Sequence, residues 1–273
     1  MMNQTEIQIT ELYKQFISEL SIDPVSGILG KISNHRYVND KLRLSGYPYI
    51  GANYETAKRK ILFVGLDIGI DEYRKENSYH TIESRRKVIS GSVNGCTELG
   101  YNNHISGTYA MTLYILKGLY GWEQQWDIFK RNTDNTFFKI INDNKKDLPI
   151  DVLDYVAFTN IHKFVTVCRG CKLEKNPPCK TTSCLQGTKN RTGNDNRRWY
   201  NEKEEIDFFL KELETLNPDI LYFQGSNIFS NETLIKLSDK YEIWIANHPS
   251  AWNVGANKSN YVDSERLMII HRK

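Results

Sequence analysis

The chain has 273 residues, 40% of them hydrophobic and 25% charged, a balance that excludes a disordered chain and is sufficient for a substantial buried core. A net charge of only +3 excludes a uniformly basic nucleic-acid coat. No run approaches eighteen apolar residues, and Met1 to Glu6 lacks the basic and then apolar profile of a signal peptide, so the expectation is a cytoplasmic protein with no membrane partner.

In chain order, Ile9, Leu12, Phe16, Ile17 and Leu20 recur at helical spacing and predict an amphipathic amino-terminal helix over residues 5 to 20. Residues 44 to 56 mix turn formers with aromatics and read as loop. Lys60 to Leu66 is the first predicted strand, and the polar stretch 71 to 100 reads as a long loop at the sheet's carboxyl edge. Helices are predicted from Thr108 to Tyr120 and over 123 to 142. A second strand runs from Val152 to Thr159 and ends at Asn160. Then come a cysteine-rich insertion over 165 to 200 and a charged amphipathic helix from Glu202 to Leu216. The third strand is Ile220 to Phe223, closed by Gly225. A short helix over Asn231 to Lys240 leads to the fourth strand, Tyr241 to Ala246. This alternation predicts an α/β fold: a three-layer α/β/α sandwich around a four-stranded, mainly parallel sheet, formed as one domain over 1 to 273 with a helical amino-terminal extension.

Two loops carry the chemistry. Gly65-Leu66-Asp67-Ile68-Gly69 follows one buried strand and His248-Pro249-Ser250 follows another, so a carboxylate and an imidazole leave the carboxyl ends of strands, where open α/β sheets bind their ligands. Asn160 ends a third strand, and its amide offers a donor and an acceptor to a base edge.

Taken in order, strand-Gly65-Leu66-Asp67-Ile68-Gly69, strand-Thr159-Asn160, strand-Gly225 and strand-His248-Pro249-Ser250 resemble the uracil-DNA glycosylase superfamily over residues 60 to 255. The resemblance implies a monofunctional, monomeric enzyme that flips a nucleotide from DNA and hydrolyses its N-glycosidic bond. By that likeness Asp67 orients water and stabilises the cationic sugar, and His248 donates to the departing base. Gly65, Leu66, Asn160 and Gly69 frame and read the base, Ser250 meets phosphate, and Trp252 is the wedge that fills the vacated stack. Arg191, Arg197 and Arg198, with Lys189, form a basic cluster suited to the DNA backbone. The chain departs from uracil-selective relatives where Pro and an aromatic follow the Asp. Here Ile68 and Gly69 stand, so the pocket is open to 5-substituted pyrimidines. That leaves the biological setting between base-excision repair and defence against modified foreign DNA.

Four of the five cysteines fall close together as Cys168-x2-Cys171-x7-Cys179-x4-Cys184, a density that in a cytosolic chain points to metal rather than disulfides. Four thiolates suit a [4Fe-4S] cluster or tetrahedral zinc, and the uneven spacing favours the cluster. Iron-sulfur members of the superfamily also place cysteines after the Asn strand but draw two further ligands from the amino terminus, where this chain has none before Cys96. Two rival readings remain open: a catalytically silent nucleic-acid-binding module of the same fold, and an unrelated α/β enzyme that uses Gly65 to Gly69 as a phosphate turn.

Overall fold

A computed structural model of the chain describes residues 2–20, 41–44, 47–65, 81–83, 85–86, 152–167, 202–225, 229–246 and 268–270. The fold is mixed α/β. Its elements are α1 (Gln4–Glu19), β1 (Lys41–Leu44), β2 (Tyr49–Ile50), β3 (Ile61–Gly65), β4 (Val156–Asn160), β5 (Phe164–Val167), α2 (Glu202–Leu216), β6 (Ile220–Gln224), α3 (Asn231–Ser238), β7 (Glu242–Ala246) and β8 (Met268–Ile270). The chain divides into two compact units. One comprises Met1–Tyr47, Asp67–Arg85 and Asn160–Leu216, the other Pro48–Leu66, Arg86–Thr159 and Asn217–Lys273. The predicted helices over 108 to 120 and 123 to 142 lie outside the described residues. Among the described residues, no helix is long and apolar enough to cross a membrane.

In the first unit, α1 opens with a reciprocal cap: Asn3 Oδ1 accepts from Glu6 N at 2.8 Å, and Glu6 Oε2 accepts from Asn3 N at 3.1 Å. Two otherwise orphaned donors are thereby satisfied. Ile9, Tyr13 and Phe16 form the buried stripe of α1, which packs against α2. There Phe16 stacks on Phe208 at 3.9 Å, while Tyr13 meets Phe208 edge-on at 5.0 Å and stacks on Tyr47 at 4.3 Å. α1 thus contributes Ile9, Tyr13 and Phe16 to this unit's core. β1 pairs antiparallel with β5, Lys41 opposite Val167 and Leu44 opposite Phe164.

The second unit holds a six-stranded mixed sheet in the order β2-β4-β3-β6-β7-β8. The four strands predicted from sequence are its inner four. Two short strands that the sequence reading lacks, β2 and β8, flank them antiparallel to β4 and β7, so the sheet has six strands rather than four. β3, β6 and β7 are parallel, with Val64 opposite Phe223 and Phe223 opposite Ile245. Both faces of β3 and β6 are buried, which explains their apolar runs, while β7 alternates buried Ile243 and Ile245 with half-buried Glu242 and Trp244. On one face an aromatic row crosses the sheet: Tyr49 stacks on Phe158 at 5.0 Å, Phe158 meets Phe63 at 5.4 Å, and Phe63 meets Tyr222 at 4.8 Å. Trp244 lies opposite Tyr222 in the register and continues the row. Such pairs contribute roughly 0.5–1.5 kcal/mol each beyond area burial.

The amino ends of the parallel strands are stapled by one residue. Asp219 Oδ2 accepts from Lys60 N at 2.8 Å, Asp219 N donates to Lys60 O at 2.8 Å, and Asp219 O accepts from Glu242 N at 3.0 Å. Asn217 reaches this point at φ 43, a left-handed turn that Asn tolerates, and Pro218 prevents α2 from continuing. The strand predicted over 152 to 159 starts later than expected, because Val152–Tyr155 form a single 3-10 turn. That turn is held by Asn53 N donating to Asp154 O at 2.8 Å and Tyr49 Oη donating to Leu153 O at 3.2 Å. Gly51 is the residue that admits it, since a Cβ there would collide with the main-chain carbonyls of Leu153 and Asp154.

Two tests follow from this packing. Gly51→Ala forces that backbone apart and should cost on the order of 1–3 kcal/mol in urea unfolding, with the m-value unchanged. Burial raises the phenols of Tyr13 and Tyr54 well above the ordinary 10.0, and burial followed by the Glu11 charge lifts Tyr47 to about 12. The folded state keeps protons that the unfolded chain releases above pH 10, so this stability is complete below 10 and is lost as pH climbs toward 12. Melting temperature should fall steadily above pH 10, and Tyr54→Phe should flatten that fall.

Candidate functional site

The chain path through the sheet reverses direction. From β3 it moves to β4 on one side, and it later returns to β6 on the other side of β3. In open α/β sheets such a switch point, at the carboxyl ends of the strands, is where ligands bind. Here the amino ends are closed by Asp219, and polar or small residues collect at the carboxyl ends.

Gly65 is the buried last residue of β3, and Asn160 the half-buried last residue of β4. Gly225 follows β6 at φ 150, a backbone conformation that side-chain-bearing residues rarely adopt, and ends the strand abruptly. Gln224, the last residue of β6, is buried and paired in register with Ala246. Strand alternation puts Gln224 on the face that carries Phe63 and Tyr222, one row beyond the aromatics. The sequence reading ends the third strand at Phe223 and passes over this amide. Its signal was a lone polar residue between an apolar run and a glycine. Of the other candidates, Leu66, Asp67, Gly69, His248, Ser250, Trp252, Arg191, Arg197, Arg198 and the four cysteines Cys168, Cys171, Cys179 and Cys184 lie outside the described residues.

The first unit holds a buried polar cluster that was not expected from the sequence. α2 presents Glu205 and Glu212, seven residues and two helical turns apart, on the same face as Phe208, Phe209, Leu213 and Leu216. Both carboxylates are fully buried. Glu205 accepts from Lys163 N at 2.7 Å through Oε1, while its Oε2 lies 3.3 Å from His162 Nδ1. Glu212 accepts from Lys163 Nζ at 2.6 Å and from the Tyr13 hydroxyl at 2.7 Å. The same Nζ donates to the main-chain oxygen of Asn160. It also lies 5.9 Å from the centroid of the Phe208 ring and 5.7 Å from that of Phe209, so its alkyl stem and charge are enclosed by aromatics. Burial lowers the Lys163 pKa, and Glu212 and then Glu205 oppose that shift. For Tyr13, burial raises the pKa first and the Glu212 carboxylate adds to it. The clue in the sequence was phase: 205 and 212 share the helical stripe of 209 and 216.

No family model, no curated protein and no solved structure matches this chain.

A buried charge that loses its partner is costly, typically 3–5 kcal/mol, whereas replacing both partners by apolar groups is often close to neutral. Lys163→Met should therefore destabilise the protein by about 3–5 kcal/mol in urea unfolding. Combining it with Glu212→Leu should recover most of that loss, apart from the share belonging to the orphaned Tyr13 hydroxyl.

Proposed function

We propose that this chain is a DNA glycosylase of the uracil-DNA glycosylase kind, built on a three-layer α/β/α sandwich. It hydrolyses the bond between a flipped-out uracil or 5-modified pyrimidine and its deoxyribose. The observation that carries the reading is one of level. Val64, Phe223 and Ile245 stand side by side in parallel register, and Asp67 and His248 each come three residues after their member of that row. β3 and β7 are two inter-strand spacings apart, about 9.5 Å, with β6 between them, so strands of one direction and one register precede both residues in the chain. The switch point between β3 and β6 adds to this, as does Asn160 at the end of the neighbouring β4.

The chemistry uses both groups. As the bond from sugar carbon to pyrimidine nitrogen breaks, positive charge builds on the deoxyribose and negative charge on the base. Asp67 stabilises the sugar, orients water toward its anomeric carbon and takes up the proton that the water sheds. His248 donates a hydrogen bond to the base oxygen, and the base leaves with the bonding pair. Asn160 reads the base edge, with Gly65 and Leu66 framing it. Gly69 leaves carbon 5 of the pyrimidine unopposed, which fits either repair or attack on modified foreign DNA. Ser250, Arg191, Arg197 and Arg198 hold phosphates, and Trp252 fills the gap in the stack. The protein acts as a cytoplasmic monomer on DNA.

β5 ends at Val167, and Cys168 is the next residue in the sequence. Cys168, Cys171, Cys179 and Cys184 supply the four thiolates that a [4Fe-4S] cluster, or alternatively zinc, requires. Either would serve structurally, binding together a cysteine-rich segment that offers few apolar residues for a core.

The test is a panel of DNA duplexes and single strands carrying uracil, thymine mismatches, hypoxanthine or 5-substituted cytosines, scored for alkali-labile abasic sites. Cleavage at a pyrimidine is expected, with Asp67→Asn and His248→Ala each losing at least about a hundredfold in rate. An inert wild-type protein across the panel would overturn the reading. Metal analysis should find iron and inorganic sulfide in a brown protein, or one zinc in a colourless one, and the content should drop in Cys171→Ser.

A further inference from the structure

Asn160 O is the last carbonyl of β4. It is taken by a side chain three residues later in the same chain, the ammonium of Lys163. That ammonium is 1% exposed and is in turn anchored on Glu212 of α2. The next main-chain donor, Lys163 N, ends on Glu205 of the same helix, and the ring of His162 reaches the other oxygen of that carboxylate. Tyr13 of α1 occupies the second oxygen of Glu212. The turn Asn160 to Lys163 is thus bound at both ends to one rigid helix face, through groups that are all nearly or fully buried.

This is more restraint than a connecting turn needs. A β4-to-β5 link could be made with backbone turns and solvated polar residues, without burying a lysine, a histidine and two glutamates. What the cluster gives that a solvated turn does not is a fixed direction for the end of β4, and so for the side chain that projects from it. Preorganised groups lose little on binding, while a displacement of about 1 Å at a recognition group can cost on the order of a hundredfold in rate.

We infer that Lys163 is a positioning residue for Asn160. By clamping the Asn160 carbonyl to Glu212, it aims the Asn160 amide at the base edge, and Glu205 with His162 completes the clamp. The inference rests on the glycosylase reading, in which Asn160 meets the base.

The experiment is a double-mutant cycle in single-turnover base release, using whichever substrate in the panel the wild-type protein cleaves. Asn160→Ala, Lys163→Met and their combination are each assayed at a temperature where the melt shows them folded. Lys163→Met should lower the rate by about ten- to a hundredfold and alter the ratio of rates for uracil and cytosine. In the Asn160→Ala background the same change should have almost no further effect, because the amide it aims is gone. Losses that multiply, with the base ratio unchanged, would make Lys163 a stability element alone and overturn the inference while leaving the glycosylase reading intact. A wild-type protein that releases no base overturns both. If Lys163→Met does not fold, Glu212→Gln takes its place in the cycle, since it keeps acceptor capacity for Tyr13 and removes only the charge that anchors the ammonium.

Discussion

Asp219 holds three strands in step. Its carboxylate, amide and carbonyl take three bonds at the amino ends of β3, β6 and β7, before the first paired rows at Ile61, Ile220 and Glu242. In strands buried on both faces, as β3 and β6 are, a slip of one residue would exchange the faces of the entire strand. Here it would pull Phe63 and Tyr222 out of the aromatic row and bring Leu62 and Leu221 in. With the amino edge fixed, Val64, Phe223 and Ile245 stand at equal height in one row. The functional reading depends on that equality.

The first unit uses a different physics. Its centre combines an aromatic contact between α1 and α2 with a set of buried charges that an apolar core of equal volume would replace at little or no loss of stability. Such a set has value as geometry: each carboxylate oxygen of Glu205 and Glu212 has its own partner, so the turn after β4 has one satisfied arrangement and few near alternatives. Asn160 ends β4, and its main-chain oxygen is held by the Lys163 ammonium of that cluster.

The inner strands were legible because burial on both faces leaves five or so apolar residues in a row between polar boundaries, as at Ile61 to Gly65 and Ile220 to Phe223. α1 and α2 were legible from their amphipathic spacing, and α3 as a short segment between two strands. β1, β2, β5 and β8 were not, since two to four residues carry no period and their pairing comes from partners distant in sequence, as Tyr49 with Phe158 and Lys41 with Val167. Val152 and Leu153 read as strand for the opposite reason: they are apolar and contiguous with β4, and only the close approach of Gly51 turns them into a 3-10 turn. At the site, Gly65 and Asn160 fall at strand ends as the sequence reading has them. Gln224 was hidden because a polar residue between an apolar run and a glycine suits the first loop position as well as the last strand position. Glu205 and Glu212 were hidden because a helix rich in charge reads as one whose acids face water. Asp67 and His248 lie outside the described residues, so for them the sequence and the register of their strands carry the argument.

The contact between α1 and α2 joins parts of the chain that are made far apart in time. The Tyr13 hydroxyl and its acceptor Glu212 are 199 residues apart in sequence. At a ribosomal pace of roughly 5–20 residues per second, α1 leaves the exit tunnel with Ile9, Tyr13 and Phe16 uncovered about 10–40 s before α2 has been synthesised. An uncovered apolar stripe of that kind is a ready site for a holdase, and the reciprocal cap of Asn3 and Glu6 favours the helical form without being able to hold it alone.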